Sequence, residues 1–383
     1  MKAGTLFAGR LAIQQRVLPS YRAAFFDQLA VLCQDGLSVL AGQPLPEENT
    51  TPASSLKAAR FIQVQNSNLG RTTSPLYQCW QPGLLDWLET WQPDVLIVEG
   101  NPRTKSTRRA VRWMHEHGKP VLGWGLGAPL LQGVLKSWRE RTRRSFLKPL
   151  DGMIAYSRRG AEEYHQLGFP TERVFIAPNA VTARPTWPLP NRPIVPTSRS
   201  VVLFVGRLQD RKRIDNLLRA CGSLPASLQP RLVIVGEGPS RANFEELARE
   251  FYPSAEFTGA HFDKDLEELY RNADLFVLPG TGGLAVQQAM SYGLPVIVGE
   301  GDGTQDDLVR SENGWLLTGA DLKGLTATLI EALSDLPRLR RMGEVSYKIA
   351  SEEVNLEAMA ASFAHAATSI SNLKNNTYAK RTP

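Results

Sequence analysis

Two features in the second half of the chain have the residue types and spacing to hold an anion. The first is the stretch from Asn272 to Thr304, NADLFVLPGTGGLAVQQAMSYGLPVIVGEGDGT. It reads as a strand over 275–278, a glycine turn (Gly280, Gly282, Gly283), a helix over 284–291 and a buried strand over 296–298. A helix start leaves backbone N–H groups without intrahelical partners, and the helix dipole adds partial positive charge at the same place. A phosphate is the natural guest there. Pro279 ends the strand, and Gly282 and Gly283 let a ligand approach the main chain. An ordinary strand-to-helix connection would carry glycines too. The second feature is GRLQDRKRID, where Arg207 and Lys212 follow the strand 201–205 and precede a helix. Arg binds a diphosphate as a fork and Lys as a point charge. Solvated surface charge is the competing explanation, because Arg211 and Arg213 are basic as well.

These residues need a scaffold, and the chain supplies one by repetition. The first half alternates β-rich runs (11–15, 37–41, 60–64, 95–99, 121–125, 153–156, 174–177) with helical stretches (21–32, 83–91, 107–117, 134–146, 159–167). Residues 182–198, TARPTWPLPNRPIVPTS, hold five prolines in seventeen residues. Such a segment is stiff and extended and reads as an interdomain linker. The alternation then restarts, with strands at 201–205, 232–235, 255–258, 275–278, 296–298 and 315–317. Helices are expected at 214–221, 242–251, 266–272, 284–291 and 322–333. The fold class is α/β, with two Rossmann-like, doubly wound domains facing a cleft. Residues 1–181 form one domain and 199–349 the other. A helical pattern over 350–373 and a polar tail to residue 383 follow, and that helix is placed to pack back on the first domain.

A chain of 383 residues suits two domains, and 42% hydrophobic with 21% charged residues describes an ordinary globular protein. No apolar run approaches the roughly 20 residues that span a bilayer. The first sixteen residues lack the apolar region of a signal peptide, so a cytoplasmic setting is expected. Cys33, Cys79 and Cys221 lie far apart and read as reduced, buried thiols. The net charge of +6 is uneven: residues 1–198 carry 24 Lys+Arg against 14 Asp+Glu, and the remainder 20 against 24. Residues 101–150 alone carry 12 basic and 2 acidic side chains. That half should attract polyanions or an anionic membrane.

GRLQDRKRIDNLLRA, VIVGEGPSRANFEELA, FTGAHFDKDLEELYRNADLFVLP, GLAVQQAMSYGLPVIVGEGDG and ENGWLL occur in order. As a series they resemble the nucleotide-sugar-binding domain of a GT-B glycosyltransferase of the family 4 retaining group. The likeness covers residues 199–345 well. It is fainter in QQRVLPSYRAAFFDQLA and YSRRGAEEYHQLGFPTERVFIAPNAV. The resemblance implies a hexose moved from a UDP- or GDP-sugar to a saccharide or lipid-linked acceptor in cell-surface polysaccharide or glycolipid synthesis. By the same resemblance, Arg207 and Lys212, beside Gly206, hold the donor diphosphate. Thr281, Gly282, Gly283 and Leu284 cap it with backbone amides, and the loop 259–261, with His261, grips the base. The family's two glutamates seven residues apart correspond here to Gly280 and Gln288, in a turn about three residues shorter. Gln288 can still bond ribose hydroxyls. Glu300 or Asp302 substitutes for the missing carboxylate, or backbone contacts suffice, or the protein binds donor without transferring sugar.

On the acceptor side the candidates are Arg22, Glu99, Asn101 and Arg103, with the 125–127 turn. Where the family often has a histidine after a central strand, this chain reads PVLGWGLGAP. The retaining mechanism implied by the family lets the leaving phosphate take the acceptor's proton. Residues 130–150, LLQGVLKSWRERTRRSFLKPL, place Leu131, Leu135, Trp138, Thr142 and Phe146 at helical spacing among six cations. That helix lies either on an anionic bilayer, peripheral to the inner face of the cytoplasmic membrane, or against the core with a solvated basic face. No aromatic-rich module accompanies the charge, so nucleic acid is not an expected partner. Asp263-Lys264-Asp265 reads as a helix cap rather than a metal motif. The five histidines have no metal-ligand spacing, and neither metal nor cofactor is expected. The rival readings are an inactive nucleotide-sugar-binding scaffold and a GT-B sugar-nucleotide epimerase.

Overall fold

The computed structural model describes residues 6–379 apart from Asn49, Pro75, Gln132, Val134, residues 195–198, Asp302 and Ala320. The chain divides into two compact units, Met1–Val181 with Leu356–Pro383, and Thr182–Asn355.

The first unit runs β1 (Leu11–Val17), α1 (Ala23–Ala30), β2 (Leu37–Gly42), β3 (Arg60–Val64), β4 (Ser67–Leu69) and β5 (Gln78–Trp80). It continues with α2 (Leu84–Trp91), β6 (Val95–Glu99), α3 (Thr107–Glu116), β7 (Val121–Gly125), α4 (Lys136–Leu147), β8 (Gly152–Ala155), α5 (Arg158–Gln166) and β9 (Val174–Ile176). Seven strands form a parallel sheet in the order β3-β2-β1-β6-β7-β8-β9. Runs such as Val95–Val98 are fully buried, as expected of parallel strands covered on both faces. The antiparallel pair β4–β5 is separate from that sheet; three-residue strands carry too little periodicity to be seen in sequence.

The second unit holds β10 (Val201–Val205), α6 (Ile214–Gly222), β11 (Arg231–Val235), α7 (Arg241–Phe251), β12 (Glu256–Gly259), α8 (Asp263–Asn272) and β13 (Leu275–Leu278). It ends with α9 (Leu284–Ser291), β14 (Val296–Gly299), α10 (Thr304–Leu308), β15 (Gly314–Leu317), α11 (Leu322–Leu333) and α12 (Leu336–Glu352). Its parallel sheet has the order β12-β11-β10-β13-β14-β15. Strand order therefore reverses at β10/β13 here and at β1/β6 in the first unit. Such reversals open a crevice at the strands' carboxyl ends, where α/β sheets bind ligands.

Two expectations change. The pattern over 350–373 is not one helix: α12 ends at Glu352, and α13 (Leu356–Ala379) starts after a break at which Asn355 bonds the carbonyls of Ala350 and Ser351. α13 belongs to the first unit, where Phe363 meets Phe25 and Trp124 with ring centroids 4.9 and 4.8 Å apart. The proline-rich stretch, read as a linker, is fastened to the second unit. Trp187 stacks on Tyr292 at 4.9 Å, and the Arg192 guanidinium donates to the carbonyls of Ala273, Gly293, Tyr270 and Tyr292. Burial pulls that guanidinium down to about 10. Prolines that bar helix and sheet still permit an extended strap held by side chains.

Candidate functional site

In the second unit, β10 and β13 lie side by side, Val202 opposite Leu275 and Leu203 opposite Phe276. β10 delivers Gly206 and Arg207, and β13 delivers the turn at 279–283. A 3-10 turn, Asp210–Lys212, carries the chain from Arg207 toward α6. Three hydrogen bonds tie it to the glycine turn. Thr281 N donates to the Arg211 carbonyl at 3.1 Å, Arg211 to Thr281 Oγ1 at 3.0 Å, and Lys212 Nζ to the Thr281 carbonyl at 2.6 Å. Lys212 is only 8% exposed. Two glycines make this approach possible. A Cβ on Gly280 would sit 2.1 Å from the Arg211 carbonyl oxygen, and one on Gly282, at φ +138°, would sit 2.3 Å from Lys212 Nζ. Position 280 therefore has no room for any side chain, carboxylate included. Half-buried Arg207 differs from its neighbours, since its guanidinium makes no hydrogen bond or ion pair with any described residue.

Gly283 precedes α9 without a side-chain cap. Of the glutamine pair in that helix, Gln287 is buried and structural. It bonds Thr182 through both amide atoms and donates to the Val354 carbonyl at 3.0 Å. Gln288 is half-buried and accepts from the Tyr270 hydroxyl at a long 3.5 Å. Gly206 donates to the Val235 carbonyl at 3.0 Å, and the loop after β11 closes over it: a Cβ on Gly236 would meet Gly206 O at 2.0 Å. His261 lies past β12, two strands away, with Nε2 3.2 Å from the Thr258 carbonyl. Glu300 is exposed just beyond β14, its N–H bonded to Leu317 O at 3.0 Å, and Asp302 falls outside the described residues. The Asp263 and Asp265 side chains sit in the first turn of α8 and make no cap bond, so they favour the helix dipole without capping it.

In the first unit the strand reversal brings together a different set. Arg16 N–H, on β1, donates to Glu99 Oε1, on β6, at 2.8 Å, and the Arg16 guanidinium pairs with Glu48. Burial pushes the Glu99 carboxyl above the usual carboxylate range, against the pull of the Arg16 amide and charge. Asn101 and Arg103 follow on the same loop, with Arg103 N–H on Asn101 Oδ1 at 3.1 Å and its guanidinium on the Thr72 carbonyl at 3.2 Å. Arg22 lies elsewhere. It is buried, bonded to Asn179 and to the Ala180 carbonyl, and 5.8 Å from both the Trp124 and Tyr156 rings. The bonds its two terminal nitrogens make stay within the unit. The 125–127 turn is likewise packed, with Glu163 accepting from Ala128 N–H at 2.7 Å. A carboxyl that holds its proton more tightly when folded loses stability as pH rises from its unfolded pKa through its folded one. Glu99→Gln keeps an acceptor for the Arg16 amide without the charge. It should melt like the native chain near the unperturbed glutamate pKa of about 4.3, and at higher temperature than the native chain at about pH 8. Thermal melts at the two pH values test this, and parallel curves would count against a half-buried, charge-averse Glu99.

Both units have the α/β, two-Rossmann architecture of the GT-B class. The family model described as Glycosyl transferases group 1 matches residues 187–349. That match lies within the second unit. Within a 125-residue stretch the chain is 40% identical to a GDP-mannose-dependent alpha-mannosyltransferase of Mycobacterium tuberculosis, covering 32% of this chain and 31% of that protein. Over 264 residues it is 27% identical to a GDP-mannose-dependent alpha-(1-6)-phosphatidylinositol monomannoside mannosyltransferase of Mycolicibacterium smegmatis, covering 63% and 65%. The chain spans about a third of the length of the first curated relatives it matches. Among solved structures, Anabaena HepE in complex with UDP superposes with a TM-score of 0.70 at 16% identity, covering 93% of this chain and 98% of that one. That likeness concerns the fold.

The second unit also contains residues that the sequence did not single out. Thr304, at the start of α10, is 6% exposed, and its Oγ1 lies 2.9 Å from where a Gly283 Cβ would be. It closes the side of the α9 start. The signal was present in GDGT, where a glycine precedes a hydroxyl residue at a helix start, but a five-residue helix gives no periodicity to read. Ser240 Oγ donates to Asp210 Oδ1 at 2.6 Å and fixes the GEGPS loop against the 3-10 turn bearing Lys212.

Proposed function

We propose that this chain is a retaining hexosyltransferase that uses a nucleotide diphosphate sugar, with GDP-mannose the first donor to try and UDP-sugars the second. The acceptor is a saccharide or lipid-linked saccharide of cell-surface polysaccharide or glycolipid synthesis. The observation that carries this reading is half-buried Arg207, without a partner among the described residues, at the strand reversal of the unit that the group 1 family model matches and next to the stitched glycine turn. Breaking the sugar–phosphate bond moves negative charge onto the leaving phosphate, and fixed cations and amides lower that barrier. Arg207 and Lys212 supply the cations, the N–H groups of residues 282–284 cap the phosphates, that of Thr281 being spent on the Arg211 carbonyl, and the leaving phosphate takes the acceptor's proton. His261 is assigned to the base, Gln288 to the ribose and Glu300 to the transferred sugar. No metal is required in this scheme. The names of the relatives support the donor choice, as several are GDP-mannose-dependent.

One observation favours binding without transfer: the turn has no space for a carboxylate at 280. We also assign the chain a peripheral place on an anionic, cytoplasm-facing bilayer. No described helix is long and apolar enough to cross a membrane. The stripe through α4 divides, with Phe146 buried, Leu131 and Thr142 half-buried, and Leu135 and Trp138 46% and 52% exposed among cations. Exposed apolar side chains within a basic face suit a bilayer surface.

The test is calorimetry with GDP, UDP and their sugars, then nucleotide release with lipid extract, with and without anionic vesicles and EDTA. Donor binding, extract-dependent release, insensitivity to EDTA and stimulation by vesicles that fades with salt are the expected results. Failure to bind any nucleotide sinks the transferase reading; binding without release leaves a donor-binding scaffold.

A further inference from the structure

Beside the Glu99 loop, the first unit contains a pocket of about 280 Å³ between the 76–78 segment, the 101–105 loop and α4. Its walls divide by chemistry. Arg103, Lys105, Arg139 and Arg143 all line it, and no Asp or Glu does among the described residues. Leu76 and Trp138 supply apolar surface and are 60% and 52% exposed. The four cations are all half-buried. Like charges drawn together and partly desolvated are costly unless an anion joins them.

The donors are also incompletely used. The Lys105 ammonium makes no hydrogen bond or ion pair with any described residue, and Arg143 keeps a buried Nε–H without an acceptor while donating through another nitrogen to the Pro129 carbonyl at 2.7 Å. Burial, reinforced by Arg108, holds the Lys105 ammonium below the usual lysine range, and burial likewise lowers Arg143, against the pull of Glu140 and Glu163. A larger hollow of about 560 Å³ on the unit is a useful contrast. Its cations, Arg141, Arg144, Lys148 and Arg173, are exposed, so water screens them, and Asp151 stands among them. Only the smaller pocket asks for a counter-ion.

We propose that this pocket binds a phosphate-bearing amphiphile, with the phosphate among the four cations and the first carbons of its chain against Leu76 and Trp138, and that this is the anionic end of the glycosyl acceptor. The acceptor role rests on the transferase reading above; the pocket's ligand chemistry does not. Saccharides carried on a lipid phosphate have this combination of one compact anion and an adjoining apolar chain.

Calorimetry of the full chain with farnesyl phosphate, farnesol and inorganic phosphate as probes tests the assignment. Farnesyl phosphate should bind about tenfold or more tightly than either fragment, because only it engages both walls. Lys105→Glu should abolish that binding. Lys105→Gln, which keeps most of the stem and removes the charge, should weaken it by about tenfold and guards against a charge-reversed variant that fails to fold. Equal affinity for farnesol, equal affinity for inorganic phosphate, or undiminished binding by a folded Lys105→Gln chain each overturns the proposal. GDP and UDP titrations on the same sample separate the two readings. Nucleotide binding without farnesyl phosphate binding overturns the pocket and spares the transferase. Farnesyl phosphate binding without nucleotide binding upholds the pocket's ligand and removes its acceptor role.

Discussion

Arg207→Ala is expected to weaken GDP or UDP binding by about 10- to 100-fold, the loss that follows when a charged donor to phosphate is removed from a partly desolvated site. The melting temperature should hardly move. Arg207 makes no bond to a described residue, so truncating it leaves no described residue unsatisfied. Its neighbours give the contrast. Lys212 binds the Thr281 carbonyl and Arg211 binds Thr281 Oγ1, so changing either loosens the turn as well as the charge. Arg207→Lys separates fork from charge, restoring part of the affinity if a point charge suffices and little of it if bidentate geometry is needed. Calorimetry with the nucleotide alone is enough, since no transfer need occur. Unchanged affinity in Arg207→Ala would refute the diphosphate assignment.

The second large effect concerns stability. Phe363→Ala should cost about 3–5 kcal/mol in the first unit, the usual range for deleting a fully buried aromatic ring. Phe363 has no exposed surface and lies between Phe25 of α1 and Trp124 of β7. Each ring pair adds about 0.5–1.5 kcal/mol beyond burial, so the cavity is left in the middle of an aromatic cluster rather than at its rim. Phe262→Ala, which removes a ring 73% exposed, should change stability by about 0.5 kcal/mol or less. Denaturant unfolding followed by tryptophan fluorescence distinguishes the two. A two-unit chain need not unfold in one step, so the shift is sought in the transition that carries Trp124. A small effect at Phe363 would mean that α13 is not docked as described.

The parts of the fold legible in sequence were those with long, strongly patterned segments. Strands such as Val95–Glu99 and Leu275–Leu278, and α11, fall at the residues that their apolar runs and flanking turns imply. The misses have physical causes. Side chains over a distance of a hundred residues decide whether a proline-rich stretch is a free linker, and Arg192 on four carbonyls is not a periodic signal. The break before α13 rests on Asn355 and its carbonyl bonds, a local feature that a helical pattern runs straight across. At the candidate site, the glycine turn and the basic pair could be named from types and spacing. That Arg207 has no partner among the described residues while Lys212 is tied to Thr281 required coordinates. Arg22 reads in PSYR as an acceptor-side candidate and is buried among aromatic rings, because nothing in four residues reveals Asn179 or Trp124.

The membership of α13 in the first unit bears on how the protein is made. The sheet of that unit is complete by residue 176, yet the helix that covers Phe25 and Trp124 begins at Leu356. On a ribosome adding about 5–20 residues per second, the intervening unit emerges and can fold first, while the earlier one waits some ten seconds or more with an apolar face uncovered. A stop codon at residue 356 would therefore leave the second unit whole and injure the first.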